Sequence, residues 1–189
     1  MKTIAGLFPN YSAADRAVCA LEQAGFDESR ISVLARDSAI EPRDQQDKTA
    51  GEVAGGAGVG ALGGGLVGGL AGLLVGMGAI FIPGLGPAFA AGTFAAVAST
   101  AMAGAGVGAA TGGILGAMVT LHIPFEDAQV YAEGVKRGAI LVTVEVDESE
   151  SAQASQVIRD AKPLDLRALR TEWEQAGWRK FDENDASRS

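Results

Sequence analysis

The chain holds one histidine and one cysteine, so imidazole or thiolate chemistry would rest on His122 and Cys19. His122 stands in LHIP, where an imidazole could titrate near neutral pH or ligate a metal. A metal site needs three or four convergent donors, and no second histidine or Cys/His cluster is available to complete one. His122 is therefore read as an interfacial residue at the exit of an apolar segment. Cys19 lies beside Val18 and Leu21, and a redox role would require an electropositive, exposed setting that its neighbours do not offer. The Asp and Glu residues around positions 41–52 and 145–150 are interspersed with polar and small side chains. They read as solvated linkers and helix starts, not as a paired acid and base. No catalytic residue, metal site or cofactor is expected, and the chain reads as non-enzymatic.

Aromatic side chains beside cations offer a different kind of site. Lys136 and Arg137 sit between Gly134 and Gly138, and Trp173 and Trp178 precede Arg179, Lys180 and Phe181. Such groups suit an interface with anionic headgroups. Docking of the C-terminal residues on an open sheet face would use the same side chains, and both readings stand. The net charge of −8, with no basic stripe, excludes a phosphate-backbone footprint, so nucleic acid is not an expected partner. A lone cysteine fits a reducing cytosol. The first apolar stretch is too short for a signal peptide, so the N-terminus is expected to be retained and cytoplasmic.

Two charged flanks must position these residues. TIAGLF reads as a buried strand ending at Pro9 and Asn10. Ser12 is a plausible N-cap, with Asp15 three residues on, for a helix closed by Gly25, and RISVLAR follows as a second strand. In the other flank Pro124 opens a helix with Ala128, Tyr131, Ala132 and Val135 at helical spacing, stopped at Gly138. AILVTVEV is the strongest strand signal, SESAQASQVIRDA reads as a helix, and PLDLR reads as a short closing strand. Neither β-α-β half of about 35 residues can bury a sufficient core alone. Joined, they predict an α+β, ferredoxin-like β-α-β-β-α-β sandwich, split over residues 1–36 and 139–168, with two helices on one sheet face.

Between the flanks, Val53 to Phe125 is a run of 73 residues without Asp, Glu, Lys or Arg, holding 21 of the 27 glycines. A polar linker (37–52) leads into it and a connecting helix (122–138) leads out. IPGLGP, with Pro83, Gly84, Gly86 and Pro87, should turn the chain, dividing residues 53–121 into two apolar helices. Each would be roughly 45–50 Å long against the roughly 30 Å hydrocarbon core of a bilayer.

Glycine disfavours a helix exposed to water by about 1 kcal/mol per residue, so the twelve in residues 53–82 would cost roughly 10 kcal/mol there. In lipid only a helix satisfies the backbone within one segment, and the missing side chains then allow close helix contact. Gly56, Gly60, Gly64, Gly68, Gly72 and Gly76 form one ridge. The second segment repeats small residues at the same spacing, including Gly104, Gly108, Gly112 and Gly116. A hairpin packed glycine to glycine is expected, with Phe89, Phe94 and Ile114 among the outward residues. Residues 169–189 are expected to form an amphipathic tail, disordered over its last residues.

ISVLARD, the glycine-rich run broken by IPGLGP, and IPFEDAQVYAEGVKRGAILVTV together resemble the bacterial family of heat-induced and general-stress proteins, also described as low-temperature-induced, membrane-associated proteins. The resemblance covers about residues 2–168. It implies a ferredoxin-like core, a glycine-zipper hairpin and a stress context, and it carries over no catalytic residue.

The leading expectation is a membrane-inserted stress protein of the bacterial inner membrane, contacting lipid, with both termini cytoplasmic and a hairpin that self-associates into homo-oligomers. One alternative is a soluble, cytoplasmic homo-oligomer with the hairpins buried between subunits. Another is a small-ligand-sensing regulator using the sheet, which rests on fold analogy alone.

Overall fold

Residues 1–36, 78–82, 85–96 and 113–182 are described by a computed structural model. They run β1 (Lys2–Phe8), α1 (Tyr11–Gln23), a 3-10 turn (Glu28–Arg30), β2 (Ile31–Arg36), β3 (Gly78–Ile82), β4 (Gly86–Ala91), α2 (Gly113–Thr120), α3 (Phe125–Lys136), β5 (Ile140–Val146), α4 (Ser151–Asp160) and α5 (Leu166–Gln175). The five strands form one antiparallel sheet in the order β1-β5-β2-β4-β3. The class is mixed α+β.

The first flank folds for the local reasons its sequence contains, with one shift. Asn10, not Ser12, caps α1: its backbone is extended and its side-chain oxygen accepts the Ala13 amide at 3.0 Å. Gly25 then ends the helix in the left-handed region, at φ 93°. Alternation in the strands sends Phe8, Ile31, Val33, Val142 and Val144 to one face of the sheet. There they meet Ala14, Val18 and Leu21 of α1 and Ala154 and Ile158 of α4.

The closing strand expected over PLDLR does not form. Asp165 accepts the amides of Arg167 and Ala168 at 2.8 and 3.3 Å, which starts α5 at Leu166. Of the expected edge pairing one bond is present, from the Leu164 amide to the Leu7 carbonyl at 2.7 Å. The complete ferredoxin-like order is therefore absent among the described residues.

A larger correction concerns the apolar run. Residues 78–82 and 86–91, expected as the inner ends of two long helices, are strands that join the sheet at the free side of β2, with Leu34 opposite Ala90 and Ala79 opposite Phe89. Without them β2 would leave a row of amides and carbonyls unpaired along its length. The β-branched and aromatic residues of GAIFI favour a strand, and a ladder satisfies the backbone that a glycine-rich helix in water satisfies only at a cost. IPGLGP thus turns a β-hairpin: Gly86 and Pro87 open β4, while Pro83 and Gly84 lie outside the described residues. Gly56, Gly60, Gly64, Gly68, Gly72, Gly76, Gly104, Gly108 and Gly112 also lie outside them. Gly116 falls in α2, where its carbonyl accepts the Thr120 hydroxyl at 2.9 Å.

The second face of the sheet, expected open, is covered. Leu7, Leu34, Ala88, Ala90 and Leu141 pack against Phe94, Ile114 and Met118, then against Tyr131, Ala132 and Val135 of α3. Phe94 and Ile114 were expected to point outward and are instead 0% and 1% exposed. Two glycines make this layer possible. Gly92, at φ 72°, reverses the chain so tightly after β4 that a Cβ there would lie 2.3 Å from the Ile31 carbonyl oxygen. Ser32 secures the reversal, its hydroxyl 2.8 Å from that of Thr93 and accepting the Phe94 amide at 3.2 Å. Gly134 lets α3 approach β1, where a Cβ would sit 2.4 Å from a methyl of Leu7.

Candidate functional site

The four residues read as a possible interface, Lys136, Arg137, Trp173 and Trp178, come together where α5 crosses the end of α3. Helix α5 follows from its Asp165 cap and from Leu166 and Leu169, which lie half-buried against the second-face core. That register buries Trp173 to 6% exposure. The Arg137 guanidinium lies 4.6 Å from the centre of the Trp173 ring, and its Nε donates to the Glu133 carboxylate at 2.7 Å. Lys136 Nζ stands 5.9 Å from the ring centre of Phe181, itself buried. Trp173 and Trp178 meet edge to face at 5.9 Å. Arg170 fastens the far end of the helix by donating to the Glu126 carbonyl at 2.6 Å.

The Trp173 and Phe181 rings are therefore buried with a cation over each, while Trp178 stays half-buried. What the cluster presents outward is polar: the exposed part of Arg137, together with Arg179 and Lys180. Among the described residues the buried indole nitrogen of Trp178 has no hydrogen-bond partner. Sequence reasoning missed Glu133, which is 6% exposed and bonded to Arg137 four residues later. The i, i+4 acid-to-base spacing was the signal available for it.

The remaining chemistry-bearing residues are dispersed. Cys19 is half-buried on α1, and burial, then the nearby carboxylates of Asp15 and Glu22, push its thiol pKa up, away from the reactive thiolate. His122 is exposed in the turn between α2 and α3 at φ 62°. Tyr131 donates to the Ala5 carbonyl at 3.2 Å, and burial raises the pKa of its phenol, with a smaller contribution from Asp127. Arg30 ties the 3-10 turn to the start of α4 through Glu150 at 2.5 Å and donates to the Glu145 carbonyl at 2.8 Å. The Arg30 bond holds the Glu150 carboxyl below its usual pKa. The acidic residues of positions 41–52 lie outside the described residues. Among the described residues no group of three or more His, Cys, Asp and Glu side chains is placed to hold a metal ion. An open groove of about 600 Å³ runs between α1 and α4, past Arg16, Val157 and Lys162.

The model of a family described as "Heat induced stress protein YflT domain" matches residues 3–79. The matched stretch takes in β1, α1 and β2, continues through the first glycine-rich residues and ends just inside β3. It covers less than half of the chain and supports a bacterial stress-protein family. No curated protein and no solved structure matches the chain.

Proposed function

We propose that the chain is a non-catalytic stress-response protein that acts by self-association, its α+β domain holding both ends of an uncharged, glycine-rich segment that packs against other copies. The stress role rests on the family match over residues 3–79. The association rests on one observation: 73 consecutive residues carry no Asp, Glu, Lys or Arg, and apolar surface of that extent needs cover. Part of the cover is internal, since Leu85, Ala88, Ala90, Phe94, Ile114 and Met118 from this run lie in the domain core. Sister subunits supply the rest, and glycine at every fourth position from Gly56 to Gly76 is the part of the sequence suited to close approach. Light scattering in the absence of detergent tests this. A particle of several copies is the expected result, and a monomer contradicts it.

Membrane insertion is the second reading, favoured by Val119 and Phe125, which are 43% and 49% exposed on either side of His122. Among the described residues no helix is long and apolar enough to cross a membrane. Retention of the chain in carbonate-washed membranes would favour this reading over the first, and complete release would dismiss it.

A further inference from the structure

Helix α5 and the residues around it, 164–182, are held to the domain differently from the helix they rest on. In α3 seven of twelve residues are buried, whereas of the ten in α5 only Trp173 is. Helix α5 packs on the outer side of α3, with Leu166 and Leu169 half-buried, and a gap of about 410 Å³ remains between the two helices beside Asp127, Val130 and Arg170. The fastenings are made by side chains: Arg170 donates to the Glu126 carbonyl, and Arg137 and Lys136 lie over the rings of Trp173 and Phe181. Among the described residues one backbone bond, from the Leu164 amide to the Leu7 carbonyl, ties the segment to the sheet. At its root the segment is separate from α4. Lys162, at φ 57°, stands just past the end of that helix in the left-handed region, and Pro163 has no amide with which to extend it.

We infer that residues 164–182 form a latch that leaves α3 as one unit while the five-stranded sheet stays closed. Little buried surface, and contacts concentrated on one neighbouring helix, put its opening free energy below that of the strands. A helix of ten residues does not persist alone in water, so undocking and unwinding occur together, and the Leu164 amide is released with them. The segment carries four Lys or Arg against four Asp or Glu, so the individual contacts, and not net charge, hold the latch shut. Its opening uncovers the outer side of α3 and the Leu7 carbonyl at the end of β1, and leaves α4 in place beyond the break at Lys162 and Pro163. The latch is independent of the association proposed above, which concerns the uncharged run.

Native-state amide exchange of the full chain in low denaturant, for the wild type and Arg170→Met, tests it. Four bonded amides report on the segment from end to end: Leu164 to the Leu7 carbonyl, Leu169 to Asp165, Ala176 to Glu172 and Trp178 to Trp173. In the wild type all four should share one opening free energy, lower than that of Val142 and Val144 in β5. Methionine keeps the helix propensity of arginine but removes the bond to Glu126, so Arg170→Met should speed exchange at all four by about fivefold and leave Val142 unchanged. Opening of the four with the free energy of β5 overturns the inference. So does graded protection in which Leu164 stays with β5 while α5 frays, or an acceleration in the variant confined to residues next to 170. The wild-type pattern decides alone if the variant fails to fold.

Discussion

On one face of the sheet Phe8, Val33, Val142 and Val144 are covered by α1 and α4, helices that lie next in sequence to strands they cover. On the other face Leu7, Leu34 and Leu141 are covered by α2, α3, Phe94 and the segment around Phe181, drawn from separate stretches of chain. The first face is closed by local β-α-β connections. The second requires the uncharged run and the C-terminal residues to return to the sheet, so its stability depends on contacts distant in sequence.

The largest effects should separate the faces. Phe94→Ala on the second face should destabilise by about 3–5 kcal/mol, and Leu21→Ala on the first by about 2–5 kcal/mol. If both faces belong to one cooperative unit, denaturant unfolding of each variant remains a single transition; a second transition in Phe94→Ala alone would split them. Gly92→Ala should cost about 3 kcal/mol, because a side chain is strained at φ 72° and its Cβ meets the Ile31 carbonyl. Gly134→Ala should cost less, about 1–3 kcal/mol, since the group in its way is the end of the Leu7 side chain. Urea midpoints for the pair rank them, and a reversed order would mean that α3 is the less yielding contact.

Smaller effects probe how the outer layer is fastened. A double-mutant cycle on Arg137 and Trp173 should give a coupling of about 0.5–1 kcal/mol, the range for a cation over an indole at a partly exposed site. A value near zero would leave Trp173 held by burial alone. The smallest effect belongs to the first face's periphery. The Arg30 partner lowers the Glu150 pKa from its ordinary 4.5, so the stability this pair contributes is present above that value and lost as pH falls through the folded-state pKa. Thermal melts of Glu150→Gln should be less stable than wild type at neutral pH and converge with it in acid. A constant difference across that window would remove the ion pair from the account.

The same division explains what was legible in the sequence. Strands β1, β2 and β5 and helices α1, α3 and α4 follow from alternation, helical spacing and glycine stops that act locally. The first two residues of α5, Leu166 and Arg167, read as the end of a strand because the leucines of PLDLR alternate, although Asp165 before Leu166 is already a cap. The hairpin of β3 and β4 was misread because glycine spaced by four is compatible with a helix ridge, and nothing local states that β2 lacks a second neighbour. In the candidate site, Lys136, Arg137, Trp173 and Trp178 were legible as aromatics beside cations. Which of the two readings applies, a surface interface or docking of the C-terminal aromatics on the domain, was not, because it depends on where α5 meets α3.

Native-state amide exchange of Ala88, Ala90 and Ala91, compared with Val142 and Val144, tests the central claim most directly: that part of the uncharged run belongs to the domain core. Both sets should open with the same free energy, that of global unfolding, in detergent-free solution. Exchange of the 88–91 amides near the rate of an unstructured peptide, while those of β5 stay protected, would contradict it.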